Sequence, residues 1–484
     1  MFQSSPPEEP LNMEGFRIIE KYPAVNNSSI LILEKTDDLE LYYYIKEPEL
    51  SREEWKTYDD LKRRLETYLP EIMLESGSGF GVNREDVLRY CRANFSGTDK
   101  DLQKKLLYYI VRDYFGYGII DAVVNDTNIE DISCVGPGIP LFVYHSKYDV
   151  LKTNLIFRTP DSLSSFLVRL AQKCNRSISV RNPILDGTTS EGHRIEGTYG
   201  REITSLGSSF TIRMFRKKVF TPADILNSGM ADSNILAYLW LAVENLESAM
   251  IAGPPGSGKT SFLNAMMSFA PSNTKILTIE ETRELNIQHP NCVSTATREI
   301  PSEMMGYGTQ NLTLFDLVKS AMRQRPTYIV VGEVRGEETY SLFQAMSTGH
   351  TTYSTIHADS IESLVNRLES EPMRIPRILI SGLRIVIFLT YYRSGNRIRR
   401  RISEIDEISG VDSRNGDVLY NSVFRFNPIN ESWLMAGESL FLDRLTERMN
   451  ETPQGIKAIF EKRKNELIKL YQKESNGSKT EENK

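Results

Sequence analysis

The sequence predicts an α/β chain centred on a parallel sheet with flanking helices, preceded by a helical N-terminal domain and an α+β middle domain. Three observations carry this. From residue 232 to about 403, short apolar runs such as Ala249–Ala252 and Tyr328–Val331 alternate with helical stretches, the pattern of strands joined by crossover helices. From about 118 to 218 the texture is one of short strands, of which the alternation from Ser209 to Phe215 is the plainest. From about 53 to 115, apolar residues recur at helical spacing.

In chain order, Trp55, Leu61, Leu65 and Leu69, then Leu106, Leu107, Ile110 and Tyr114, mark the buried stripes of the N-terminal helices. Residues 1–103 are read as a helical partner-binding region and 104–218 as the α+β domain, with a strand at Leu141–Tyr144 and a helix near Leu163–Cys174. Residues 219–231 form a hinge linker, marked by Pro222 and Gly229 and followed by a helix start at Asp232. Residues 232–445 hold the parallel-sheet domain with a C-terminal β addition, in which Arg393–Arg401 is a polar turn with a basic strand and Asn415-Gly416 a hairpin turn. Residues 446–484 are read as a helix followed, after Lys473, by a polar disordered tail.

The 484 residues allow about three domains at roughly 100–200 residues each. With 58 Lys+Arg against 64 Asp+Glu the net charge is -6, so the chain as a whole does not carry the positive surface of a nucleic-acid coat. Cys91, Cys134, Cys174 and Cys292 lie far apart without a Cys-x-x-Cys pair, which removes a zinc ribbon and a disulfide framework and fits a reducing compartment; they read as small core residues. The N-terminus has prolines and acids where a signal peptide needs a basic and then an apolar segment. The apolar stretch Ile378–Tyr392 is broken by Arg384 and falls short of the ~20 residues of a membrane span, so a cytoplasmic location is expected.

The buried run Ala249–Ala252 leads directly into Gly253-Pro254-Pro255-Gly256-Ser257-Gly258-Lys259-Thr260 and then a helical stretch beginning at Ser261. This is G-x-x-x-x-G-K-[ST] in its strand–loop–helix setting. The glycines let successive N–H groups turn toward phosphates, the helix start adds the positive end of its dipole, Lys259 adds a point charge and Thr260 offers a hydroxyl to Mg²⁺. The chemistry is nucleoside triphosphate binding. A second run, Tyr328–Val331, ends in Gly332-Glu333, where such a sheet can present a Mg²⁺-facing carboxylate; an acid after an apolar run is also found as a solvated strand end.

Four further segments are specific in combination: Ile279 to Leu285 (IEETREL), Arg323 to Pro326 (RQRP), Gly332 to Glu338 (GEVRGEE) and Thr348 to Ala358 (TGHTTYSTIHA). With the phosphate loop they closely resemble the type II/type IV secretion ATPase superfamily, the hexameric motors of type II secretion, type IV pili and archaella, over roughly residues 105–410 and in a form compatible with its archaeal branch. The resemblance implies a RecA-like P-loop NTPase core with ATP and Mg²⁺ as cofactors. It implies Glu333 as the Walker B glutamate, Glu284 as the acidic-box glutamate that polarises the attacking water, and Glu281, where the family usually has Asp, as a third carboxylate at the metal. Lys259 joins them as a catalytic residue, and His357 is implied to sense the γ-phosphate. His350 and His357 also invite a zinc reading, but no cysteine or carboxylate completes a ligand set. The family completes each site with arginines from the middle domain or the adjoining subunit, for which Arg194, Arg213 and Arg216 are the candidates, although strand arginines are also ordinary solvated charges.

The implied partners are further copies in a homo-hexamer, a polytopic membrane platform protein of a pilus machine, and pilin subunits indirectly, with membrane contact only through partners. The expected function is assembly of a type IV pilus-like filament, with an archaellum motor or a type II secretion ATPase as alternatives. A nucleic-acid translocase is the reading from another class; the basic Arg393–Arg401 turn could face phosphates, but its only aromatic neighbours are Tyr391 and Tyr392 and the chain is acidic, so no nucleic-acid partner is expected. No Asn-Lys-x-Asp guanine tetrad follows the loop.

Overall fold

The computed structural model describes residues 15–25, 28–75, 83–95, 98–215, 219–298, 311–394 and 397–481. The chain divides into two compact units, one ending at Phe215 and one beginning at Arg216.

Among the described residues, the first unit is built on a nine-stranded sheet. Its strands are β1 (Phe16–Pro23), β2 (Ser29–Lys35), β3 (Leu41–Lys46), β4 (Ile129–Cys134), β5 (Pro140–His145), β6 (Asp149–Ile156), β7 (Ile184–Thr188), β8 (Arg194–Thr198) and β9 (Ser209–Arg213), in the order β1-β2-β3-β6-β5-β4-β9-β8-β7. The sequence expectation of a purely helical N-terminal region is corrected here. The region contributes three strands before its helices, because Ile30–Leu33 of β2 lies between two partner strands and is buried on both faces. Helices follow at Arg52–Glu75, Arg84–Ala93 and Lys100–Ile110, and their stripes meet as read: Trp55, Leu61 and Leu65 pack with Val87, Cys91, Leu106 and Ile110.

The N-terminal strands join the rest of the sheet through one parallel seam, Tyr42 opposite Lys152 and Tyr43 opposite Thr153. Asn154 extends that seam with its side-chain amide, accepting from the Ile45 N–H at 2.9 Å and donating to the Ile45 carbonyl at 3.0 Å. Beneath the sheet, Leu163, Phe166, Leu167 and Leu170 of the helix Pro160–Lys173 are buried against Phe210 and Ile212, the inward residues of β9. Cys91, Cys134 and Cys174 are free and buried, and burial pushes each thiol up to about 11.

The described residues of the second unit form another nine-stranded sheet, of β10 (Ala249–Ala252), β11 (Ile276–Glu280), β12 (Cys292–Ala296), β13 (Tyr328–Val331), β14 (Thr351–Ile356), β15 (Ile385–Ser394), β16 (Arg397–Val411), β17 (Val418–Asn427) and β18 (Ser432–Met435). The order is β12-β11-β13-β14-β10-β15-β16-β17-β18. The strands from β12 to β15 pair in parallel, and β16 to β18 continue the same sheet as an antiparallel meander. One strand, β14, separates β10 from β13, the arrangement of a RecA-like core. Every residue of β10 is buried: Ala249 and Ile251 pack with Tyr238 and Phe262 on one face, Met250 and Ala252 with Phe343 and Leu364 on the other. A parallel strand covered on both sides reads as a continuous apolar run for this reason.

The segment 219–231, expected as a hinge linker, contains a short helix, Pro222–Ser228, capped by Thr221 with Asp224 and ended by Gly229 at φ 63. At the other end, the helix Pro453–Glu481 runs past Lys473, where disorder was expected. With no proline after Pro453, a helix already anchored by Ile456 and Leu467 gains one hydrogen bond for each residue added.

Candidate functional site

The loop after β10 turns sharply at Gly253, where a Cβ would stand 2.5 Å from the Leu389 carbonyl oxygen. It enters the helix Lys259–Met267 through Gly258 at φ 90, a conformation L side chains rarely take, with no side-chain cap on that end. The first-turn N–H groups are therefore left for a ligand. Ser257 is fully buried and its hydroxyl has no hydrogen-bond partner among the described residues. Pro255 and Gly256 are exposed, while Pro254, Thr260 and Ser261 are half-buried.

Lys259 is 8% exposed. Its ammonium donates to the Gly253 carbonyl at 3.0 Å and the Pro254 carbonyl at 3.1 Å, and lies 3.2 Å from His357 Nδ1. An ammonium has no lone pair, so Nδ1 accepts; the proton is then on Nε2, which stands 3.0 Å from a Glu333 carboxylate oxygen. Burial lowers the Lys259 pKa to about 8, against a raising influence from Glu333. Burial first, and the Lys259 charge second, also lower His357, which keeps the imidazole neutral near pH 7. The end of β10, the end of β13 and the end of β14 thus contribute one connected chain, Lys259–His357–Glu333. His350 sits at the opposite end of β14, seven positions and roughly 23 Å of strand away, so the two histidines share no ligand.

The acidic segment after β11 divides in two. Glu280 is 3% exposed, and one of its carboxylate oxygens accepts the Glu284 N–H at 2.9 Å and the Leu285 N–H at 2.8 Å. The other oxygen is buried without a partner among the described residues, and burial raises this carboxyl to about 7. Gly332 makes the space, since a Cβ there would be 3.1 Å from Glu280 Cγ. Glu284 is exposed and near enough to Lys259 to act on its charge. Glu281, expected at the metal, pairs with the Arg335 guanidinium. After β13, buried Glu338 accepts the Arg335 and Gly336 N–H groups at 2.8 and 2.7 Å and fixes the turn that carries Glu333.

Of the arginine candidates, Arg194 and Arg213 belong to the first unit. Arg194 pairs with Glu196 at 3.4 Å and Asp186 at 3.5 Å, Arg213 with Asp131 at 3.4 Å, and Arg216 lies outside the described residues. Two cations at the phosphate loop escaped the sequence reading. Arg367, on the helix Ile361–Glu369, acts on both Lys259 and His357. Arg400, on β16, donates to the Gly256 carbonyl at 2.8 Å. The basic run that holds Arg400 was visible, but its inward aim depends on sheet register.

A triphosphate fits this place: a buried lysine held only by neutral acceptors, an unpartnered serine hydroxyl and an uncapped helix start all favour added negative charge. Mg²⁺ takes most of its six oxygens from phosphates and water, so Thr260 and half-exposed Glu333 suffice as the protein's share.

Residues 154–389 match the family model described as type II/IV secretion system protein. An uncharacterized protein of Methanocaldococcus jannaschii is 35% identical over 336 residues, covering 69% of this chain, and the chain spans 60% of that relative's length. A second uncharacterized protein of the same archaeon is 41% identical over 228 residues, 47% of this chain and 82% of that one. The type IV secretion system protein PtlH of Bordetella pertussis is 26% identical over 284 residues, 51% of this chain and 81% of that protein.

Proposed function

The chain belongs to the type II/IV secretion system protein family, and from that premise we propose that it is a hexameric motor that hydrolyses Mg-ATP to assemble a type IV pilus-like surface filament through a membrane platform protein. The observation that carries the reading is the connected chain Lys259–His357–Glu333 at the mouth of the phosphate loop. Phosphate oxygens would take over the hydrogen bonds that Lys259 now gives to loop carbonyls, leaving His357 Nδ1 without its donor and so responsive to what occupies the loop. Glu333 or Glu284 would accept the proton of the attacking water. Thr260 would hold Mg²⁺, which neutralises charge between the β- and γ-phosphates. Arg194, Arg213 and Arg216 are proposed to act on a neighbouring copy's nucleotide, and the motor to work at the inner face of the cell membrane. Among the described residues no helix is long and apolar enough to cross a membrane.

The test is a mixing series of intact and Lys259→Ala subunits assayed for Mg²⁺-dependent ATP hydrolysis. Activity should fall faster than the fraction of intact subunits, as expected when the copies of a ring turn over in concert. Strict proportionality would remove that coupling, and absence of Mg²⁺-dependent turnover would remove the motor. A chromosomal Lys259→Ala strain that still displays its filaments under the electron microscope would remove the filament assignment and leave secretion.

A further inference from the structure

β16 brings two elements of the second unit together that are far apart in sequence. β15 runs parallel to β10, with Phe388 opposite Ala252, and β16 returns along β15 with Tyr391 opposite Arg400 and Thr390 opposite Arg401. These two arginines therefore stand just beyond the carboxyl end of β10, where the phosphate loop turns. Arg400 Nε donates to the Gly256 carbonyl at 2.8 Å, and its Cδ is 3.4 Å from where a Cβ on Gly258 would be. Arg401, only 6% exposed, donates to the Ser228 carbonyl at 2.9 Å and lies over Gly229, with Nη2 3.4 Å from the Cβ position there. The next residue, Ile402, donates its N–H to the Met230 carbonyl at 2.9 Å. Met230 closes the circle, its Cε 3.2 Å from the Cβ position of Gly258.

We propose that Arg400 and Arg401 tie the phosphate loop to the segment 219–231, so that occupancy of the loop is felt in that segment, with Arg400 a positioning residue of the loop. The inference rests on the nucleotide reading of the loop given above. Its physics is that of one peptide plane. The Gly256 carbonyl and the Ser257 N–H are opposite edges of a rigid amide, so a guanidinium that holds the carbonyl outward sets the direction of the N–H. That N–H now makes a long bond to the Pro254 carbonyl at 3.3 Å. A phosphate that recruits it turns the plane, and the charge-assisted bond to Arg400 must follow or break. Arg401, on the same strand and held to Ser228, carries the change to the helix end at Gly229. Residues 219–231 precede the whole parallel sheet and are the first described residues of the second unit, so a change at the loop reaches the start of that unit.

The experiment is hydrogen exchange on the full chain with and without a non-hydrolysable ATP analogue and Mg²⁺, read over peptides covering 219–231. In the intact chain the analogue should slow exchange there by about fivefold or more, the low end of coupling between linked sites. Arg400→Ala should weaken analogue binding about tenfold, the loss of one charge-assisted hydrogen bond, and at saturating analogue should abolish the slowing. Arg400→Lys, which keeps the charge and the fold but not the fork, should restore affinity more than it restores the slowing. Undiminished slowing in saturated Arg400→Ala would overturn the proposal. So would an intact chain that binds the analogue without any change over 219–231. An intact chain that binds no analogue would instead refute the nucleotide reading, and the tie with it.

Discussion

Two cations, one in each unit, are buried to a similar degree and treated in opposite ways. Arg112 is 4% exposed and lies between Glu47 at 2.7 Å and Asp113 at 2.8 Å. Those carboxylates are held in turn by the hydroxyls of Tyr108 and Tyr58, each at 2.7 Å. Burial opposes the Arg112 charge, but Asp113 and Glu47 overcome it and hold the guanidinium firmly ionised, while Asp113 is kept below the usual carboxylate range. Lys259, at 8% exposure, has two carbonyls and an imidazole and is lowered toward neutrality. A buried charge with a full set of countercharges is fastening the fold, whereas one left with neutral acceptors is waiting for an anion. The difference sets the two cations apart without reference to any motif.

Three measurements test the contrast. The largest effect is expected at the fastened cation: Arg112→Met should cost the first unit about 3–5 kcal/mol in urea unfolding, because Glu47 and Asp113 stay buried without their countercharge. An effect below about 1 kcal/mol, the size of a surface pair, would erase the distinction. Next, Lys259→Met should lower ATP hydrolysis about 100-fold or more while making the second unit harder to unfold at pH 7. The sign follows from linkage. A lysine that titrates at about 8 in the folded chain and at its ordinary 10.5 once unfolded carries its cost fully below pH 8 and sheds it as pH rises toward 10.5, so the gain in the variant should fade over that window. A Met variant less stable than the parent at pH 7 would break the comparison.

The smallest effect belongs to Glu280. With its carboxyl at about 7, against an ordinary 4.5 once unfolded, the folded chain binds the extra proton between those values and loses stability as pH rises through them. Glu280→Gln, which retains the oxygen accepting the Glu284 and Leu285 N–H groups, should raise the unfolding midpoint at pH 8 and be indistinguishable from the parent near pH 4.5. Equal midpoints at both pH values would mean that the buried carboxylate carries no such penalty.

What was legible beforehand was what local spacing encodes. The phosphate loop could be placed to the residue because its glycines, lysine and threonine answer to a fixed backbone path, and the helical stripes around Trp55 and Leu106 because their period is that of one helix. Glu333 was marked by the apolar run it ends and His357 by resemblance, and the structure brings them together. Glu280 was read only as part of the segment Ile279 to Leu285. Its burial depends on β11 lying between β12 and β13 and on the missing Cβ of Gly332, neither of which leaves a mark near residue 280. Arg400 stands in a run that reads as a solvated charge patch, and only the pairing of β16 with β15 turns it to the loop. The strands β1 to β3 were missed because their place is fixed by β6, far along the chain.

That seam has a consequence in time. Ile45 and Asn154, which close it, are 109 positions apart. A ribosome adding about 5–20 residues per second needs roughly 5–20 s to deliver the second partner after the first. Through that interval the hairpins β1–β2 and β2–β3 can already pair, but the outer edge of β3 shows its unsatisfied N–H and carbonyl groups to its surroundings, a template for any other nascent strand. Slowing translation between codons 46 and 154 should therefore lower the soluble yield of the chain, and supplying a chaperone that shields strand edges should recover it.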